Sequence, residues 1–168
     1  MDLKELIQSL NNVTDDELED LNTSINAADN IFLIGNGGSN AIASHMAVDY
    51  NKFLNKRCFV PNSSDLMTMV VNDYGIEQMY SKFISYNHRV DESTLAILIS
   101  SSGNSKNIVE AAMTCHELGI PVITLTGFWR ANTLHSMQLP NIIQKFFVDS
   151  RSYGVVEMAH HSILHSAV

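Results

Sequence analysis

Apolar residues change their period along this chain, and each change marks an element. Five short blocks carry branched or aromatic residues with little polar alternation: Ile31–Ile34, Lys56–Pro61, Leu95–Ile99, Pro121–Thr126 and Lys145–Asp149. Blocks of that length, bounded by turn residues, predict strands buried on both faces. Between them the apolar spacing switches to three and four. The Ala-rich stretch 40–50, Glu77–Tyr86, Asn107–Leu118 and Tyr153–Val168 all follow that helical period, and Gly119 stands where a helix would end. Strands alternating with helices predict an α/β fold, three layers deep, with a five-stranded parallel sheet covered on both faces.

The first 28 residues break the alternation. Leu3, Ile7 and Leu10 form one helical stripe; Leu18, Leu21, Ile25 and Ala28 form a second, opened by Thr14-Asp15-Asp16-Glu17 as a capping box. Two helices with no strand between them carry more apolar surface than one sheet face readily covers. The chain therefore divides into a helical segment, residues 1–28, serving partly as oligomer contact, and an α/β domain, residues 29–168. Leu66–Val71 is apolar at mixed spacing, Asn72–Gly75 reads as a turn and 127–144 as irregular. The helical pattern is still running at Val168 without a capping residue, as in a chain that continues.

Two loops carry the chemistry of an anion site. Gly35-Asn36-Gly37-Gly38-Ser39 joins a strand to a helix, and so does Ser100-Ser101-Ser102-Gly103-Asn104-Ser105, with Lys106 adding a positive charge. Strand, polar turn and helix present free backbone N–H groups at a helix N-terminus, where the dipole favours negative charge. One N-cap needs one hydroxyl; four hydroxyls within six residues suit a phosphate. Neither loop has the spacing of the G-x-G-x-x-G fingerprint or the lysine of a P-loop, so a dinucleotide or nucleoside triphosphate is disfavoured.

Ionisable residues recur at helical spacing in two places. His45 and Asp49 lie four apart on the helix after the glycine loop. Glu157, His161 and His165 step by four along the last helix, with His160 beside them. Carboxylate and imidazole together suit acid–base chemistry or a divalent ion such as zinc. Spacing alone does not choose between His161 and His165.

Composition narrows the classes. The chain has 168 residues, 45% hydrophobic and 17% charged, which is globular and large enough for one core. A net charge of −8 argues against nucleic acid as a partner, yet one local pocket can still take a phosphorylated small molecule. No apolar run approaches the roughly 20 residues that cross a bilayer, and the charged start is no signal peptide. Cys58 and Cys115 read as reduced thiols of a cytoplasmic protein.

Taken in order, these motifs resemble the sugar isomerase (SIS) domain, a flavodoxin-like fold. The glycine loop with His45 and Asp49, Asn72-Asp73, the serine loop, Val122–Gly127 and the closing Glu157/His165 helix carry the likeness from about residue 30 onward. Within the family the likeness is greatest to its phosphoheptose isomerase branch. That resemblance implies an isomerase interconverting a ketose phosphate and an aldose phosphate, with sedoheptulose 7-phosphate and D-glycero-D-manno-heptose 7-phosphate as the pair. It places phosphate on Ser100, Ser101, Ser102 and Ser105, and substrate contacts on Asn36, Gly37, Ser39, Asn72, Asp73 and Glu157. It makes Asp49 the base and His165 the acid, or assigns His45, Asp49, Glu157 and His165 to a zinc ion. It also implies a homotetramer with sites between subunits. The chain departs from the family at Asp49, where a Glu is usual, at Glu157, where a Gln is usual, and at Gly154, where many members carry an Asp.

Overall fold

A computed structural model describes residues 2–168. Helices α1 (Leu3–Asn11) and α2 (Asp15–Ala27) precede β1 (Asn30–Gly35), α3 (Gly38–Leu54), β2 (Arg57–Phe59) and α4 (Ser64–Tyr74). A single 3-10 turn, Ile76–Gln78, leads into α5 (Met79–Asn87), β3 (Thr94–Ser100), α6 (Lys106–Glu117), β4 (Val122–Gly127), the one-turn α7 (Thr133–Ser136), β5 (Ile142–Val148) and α8 (Tyr153–His165). All strand pairings are parallel, in the order β2-β1-β3-β4-β5. The expected three-layer αβα architecture is the one found.

Alternation along the strands builds two cores. Ile31 and Leu33 of β1 face a cluster with Leu21 and Ile25 of α2, Met46 and Tyr50 of α3, and Ala159 and Ile163 of α8. Phe32 and Ile34 face the opposite cluster, with Phe83 and Ile84 of α5 and Ile108 and Ala112 of α6. Every residue of β1 is buried, which is why its sequence shows no polar alternation. α3 after β1 and α6 after β3 leave for opposite faces, so the adjacent C-terminal ends of β1 and β3 form the topological switch point. Ligands of open α/β sheets lie in that crevice. Gly35 pairs with Ile99 there, which sets the glycine loop beside the serine loop.

Three local readings change. Asn72 and Asp73 lie in the last turn of α4, and the chain turns one residue later at Gly75, where φ is +85°. α4 buries only Val70, so its apolar residues never formed a readable stripe. β5 begins at Ile142 rather than Lys145; it is the edge strand, and a register shift near Ile123 leaves Ile143 half exposed. The capping box at Thr14 and Glu17 forms as expected. α2 buries Leu21 and Ile25 completely, whereas α1 turns Leu6 and Leu10 inward and leaves Leu3 and Ile7 about 60% exposed.

Candidate active site

A cavity of about 260 Å³ fills the switch point. Asn36, Gly37, Gly38 and Ser39 line one side, Ser100, Ser101, Ser102 and Ser105 the other, and Tyr153 and Glu157 of α8 close it. The first turns of α3, α6 and α8 have no side-chain cap, so backbone donors remain at three helix N-termini bordering one space. The Ser101 hydroxyl is buried without a partner among the described residues. Ser100 Oγ accepts from the Gly103 amide at 3.2 Å and lies 3.5 Å from Ser105 Oγ, which shapes the serine loop into a cup. Hydroxyls and amides suit a phosphate arriving with its own charge, and Glu157 is the one carboxylate on this lining.

Two features hold the cavity open. The Asn36 amide donates to Asn107 Oδ1 at 2.9 Å while Asn107 donates back to Asn36 Oδ1 at 3.0 Å. The buried Tyr80 hydroxyl donates to the Gly35 carbonyl at 2.6 Å and lies 2.9 Å from Asn36 Oδ1, and burial pushes its pKa up to about 12. The backbone at Gly37 has φ +54°, a region that favours glycine. At Gly38 a Cβ would overlap Glu157 Oε1, so only glycine lets that carboxylate lie against the first turn of α3.

The ionisable cluster sits further along the seam between α3 and α8. Asp49 Oδ2 is 3.1 Å from His45 Nε2 and 3.2 Å from His165 Nε2. Ligand atoms of these three residues all lie within 4.8 Å of one another. The Asp49 side chain is 15% exposed and the two imidazoles about half exposed, so the group is open to solvent on one side. No side-chain hydrogen bond or ion pair among the described residues engages Asp49 Oδ1. His161 packs edge-on to His45 with ring centroids 4.6 Å apart. Burial holds the His161 pKa below the ordinary histidine range, His45 and His165 lower it further, and Asp49 opposes them.

The sequence-predicted residues thus fall into three places. Asn36, Gly37, Ser39, Ser100, Ser101, Ser102, Ser105 and Glu157 meet in the cavity. His45, Asp49 and His165 meet in the carboxylate–imidazole group, which does not include Glu157. Asn72 and Asp73 meet neither: they are exposed at the end of α4, where the Asn72 amide donates to Asp73 Oδ1 at 2.9 Å.

Two residues to which sequence reasoning gave no role position α8. Tyr50 is fully buried and its hydroxyl donates to the Leu164 carbonyl at 2.8 Å. Because Asp49 precedes Tyr50 and His165 follows Leu164, this bond fixes the two reactive side chains against each other. A tyrosine beside an acid on an Ala-rich helix was the available signal. His160, fully buried, lies with Nε2 3.1 Å from the Thr126 carbonyl and ties α8 to the end of β4; desolvation lowers its pKa to about 4.

With this geometry in view, the likeness to known proteins is informative. Residues 3–127 match the SIS domain. A phosphoheptose isomerase from Rhodospirillum rubrum is 34% identical over 110 residues, 62% of this chain and 57% of that one. Another, from Aneurinibacillus thermoaerophilus, is 39% identical over 103 residues, 58% and 51% of the two chains. The chain spans about half the length of the curated relatives it matches. A solved phosphoheptose isomerase from Neisseria gonorrhoeae superposes with a TM-score of 0.86 at 23% identity, covering 98% of this chain and 92% of that one. The sugar isomerase domain of an RpiR transcription factor from Sphaerobacter thermophilus gives 0.66 at 21% identity, over 96% and 82%. Both share the fold, and by its sequence match this chain belongs to the SIS domain family.

Proposed function

We propose that the protein is an aldose–ketose isomerase that interconverts sedoheptulose 7-phosphate and D-glycero-D-manno-heptose 7-phosphate. One observation carries this reading: a phosphate-shaped cup and a carboxylate–imidazole group lie along the same α3–α8 seam, the cup at the first turns of the two helices and Asp49 further along. The relatives named phosphoheptose isomerase support the choice of substrate.

In this reading the serine loop and the α6 N-terminus bind the phosphate, and C1 and C2 of the open-chain ketose reach Asp49. Asp49 offers Oδ2 to the two imidazoles and keeps Oδ1 for the proton. Oδ1 takes a proton from C1 while His165 gives one to the C2 oxygen, producing the enediol. Asp49 then returns its proton to C2 as His165 recovers one from the C1 hydroxyl, leaving the aldose. The donor set fits a divalent ion, since three ligand atoms already lie within 4.8 Å of one another. Were zinc held by His45, Asp49 and His165, the ion would replace His165 as the electrophile at the C2 carbonyl, since a ligated imidazole nitrogen has no proton to give. Glu157 lines the cavity instead, where it faces the bound sugar phosphate.

The assembly in this reading is a homotetramer, with residues 1–28 as subunit contact and 29–168 as the catalytic domain. Leu3, Ile7, Val48, Phe53, Met69 and Ile76 are exposed apolar residues available for such contacts. Asn72 and Asp73 then act on substrate in a neighbouring subunit's site. The cytoplasm is the compartment, consistent with two free cysteines whose thiols burial pushes up to about 12. Among the described residues, no helix is long and apolar enough to cross a membrane.

Steady-state assay of purified protein with sedoheptulose 7-phosphate, against other ketose phosphates, tests the function. Turnover that is lost in Asp49→Asn is the expected result. A wild-type protein that binds the sugar phosphate without turning it over would mark it instead as a binding module, the role of a regulator. Sedimentation tests the assembly: a fully active monomer would refute it.

A further inference from the structure

The seam between α3 and α8 holds one more imidazole than the reaction uses. His45 and Asp49 form an i, i+4 pair on α3; His161 and His165 form a second on α8, and the two pairs face each other. We propose that His161 is the fourth ligand of a zinc site formed with His45, Asp49 and His165, a set of three imidazoles and one carboxylate.

The spacings match those of ligands on one ion. Zinc–ligand bonds near 2.1 Å in a tetrahedron put neighbouring donor atoms about 3.4 Å apart and the centroids of two bound imidazoles about 5 Å apart. Asp49 Oδ2 lies 3.1 and 3.2 Å from the Nε2 atoms of His45 and His165. The three ring centroids are 4.6, 5.9 and 5.9 Å apart. His161 Nε2 is buried and has no hydrogen-bond partner among the described residues, an unmet demand that a bound ion would satisfy. The His161 nitrogens stand outside the group of three whose ligand atoms lie within 4.8 Å, so completing the set takes a rotation of its ring. Glu157, the alternative fourth ligand, is committed elsewhere: its carboxylate lies against Gly38 and lines the cavity two helical turns away.

The inference rests on the metal reading above but not on turnover, and its test reads metal binding alone. Full-length protein, stripped with a chelator, is titrated with zinc against a chromophoric competitor and, separately, with cobalt(II). Wild type is expected to bind one equivalent of zinc and to give the intense visible bands of four-coordinate cobalt. His161→Ala and the ring-preserving His161→Phe should weaken zinc by at least the roughly 10- to 100-fold seen on losing an outer-shell partner, and should lose the cobalt bands. Glu157→Ala should keep both affinity and spectrum. Thermal unfolding of the stripped variants, matching stripped wild type, confirms that they fold. The assignment is overturned by a wild type that takes up no zinc, by folded His161 variants that bind as wild type does, or by zinc binding lost in Glu157→Ala. A chain that passes this test yet fails to isomerise a heptose phosphate refutes the activity and leaves the site standing.

Discussion

The cavity at the switch point and the cluster around Asp49 share two helices, yet they are built on opposite principles. Backbone amides, small hydroxyls and glycines form the cavity, and its donors are fixed by loops that Asn36, Asn107 and Tyr80 lock in place. Ionisable side chains form the cluster, projecting from the flanks of two helices and half open to solvent. A cradle for a permanent dianion needs donors that never change charge. A centre that moves protons needs groups that do. The contrast assigns binding to one region and chemistry to the other, and mutations should separate them.

The largest separation is expected from Asp49→Asn, which keeps shape and removes the base. Its kcat should fall by about 100- to 10,000-fold, the usual worth of a positioned general base, with KM nearly unchanged. A large change in KM instead would place Asp49 in binding.

Next comes the strut that sets α8 for both regions. His160 is neutral when folded, with its pKa lowered by burial to about 4 from an ordinary 6.5. The unfolded chain therefore takes up the proton first as the medium turns acid. Stability is complete above about pH 6.5, falls as pH drops toward 4, and levels off below it, a loss of about 3 kcal/mol. Urea unfolding across that range should show the slope in wild type and a flatter one in His160→Gln. Equal slopes would mean that other groups carry the pH dependence.

Ser102→Ala, in the cavity, should do the reverse of Asp49→Asn. Loss of one hydrogen bond to a charged phosphate costs roughly 1.5–3 kcal/mol of apparent affinity, seen in KM with kcat retained. The smallest effect belongs to Tyr50→Phe. Removing its bond to the Leu164 carbonyl should cost about 1 kcal/mol of stability in urea unfolding. It should lower kcat while leaving KM alone, because only the Asp49–His165 pairing loosens. A change in KM without a change in kcat would blur the division between the two regions.

The two regions also differ in how legible they are before folding. Each loop of the cavity is contiguous in sequence, so its hydroxyls and glycines announce themselves once the preceding strand is recognised. The cluster depends on how α3 and α8 cross. Helical spacing shows that His45 and Asp49 share a face, and that Glu157, His161 and His165 share another, but not which of the latter meets Asp49. The contact that sets the crossing, from Tyr50 to the Leu164 carbonyl, joins residues 114 apart and ends on a backbone atom that leaves no trace in sequence. The strands of the buried sheet were readable because both faces are apolar. α4 was not, because a helix that buries one residue has no stripe, and the start of β5 was not, because an edge strand with a register shift loses the pattern of its neighbours.

Solvent deuterium reports most directly on whether Asp49 moves a proton between adjacent carbons of a bound sugar phosphate. Sedoheptulose 7-phosphate is incubated with the protein in deuterium oxide, and sugar protons are followed by NMR. Exchange at C1 of the ketose and deuterium at C2 of the aldose are expected with wild type, and neither with Asp49→Asn. Exchange and aldose formation that persist in Asp49→Asn would contradict the assignment of the base.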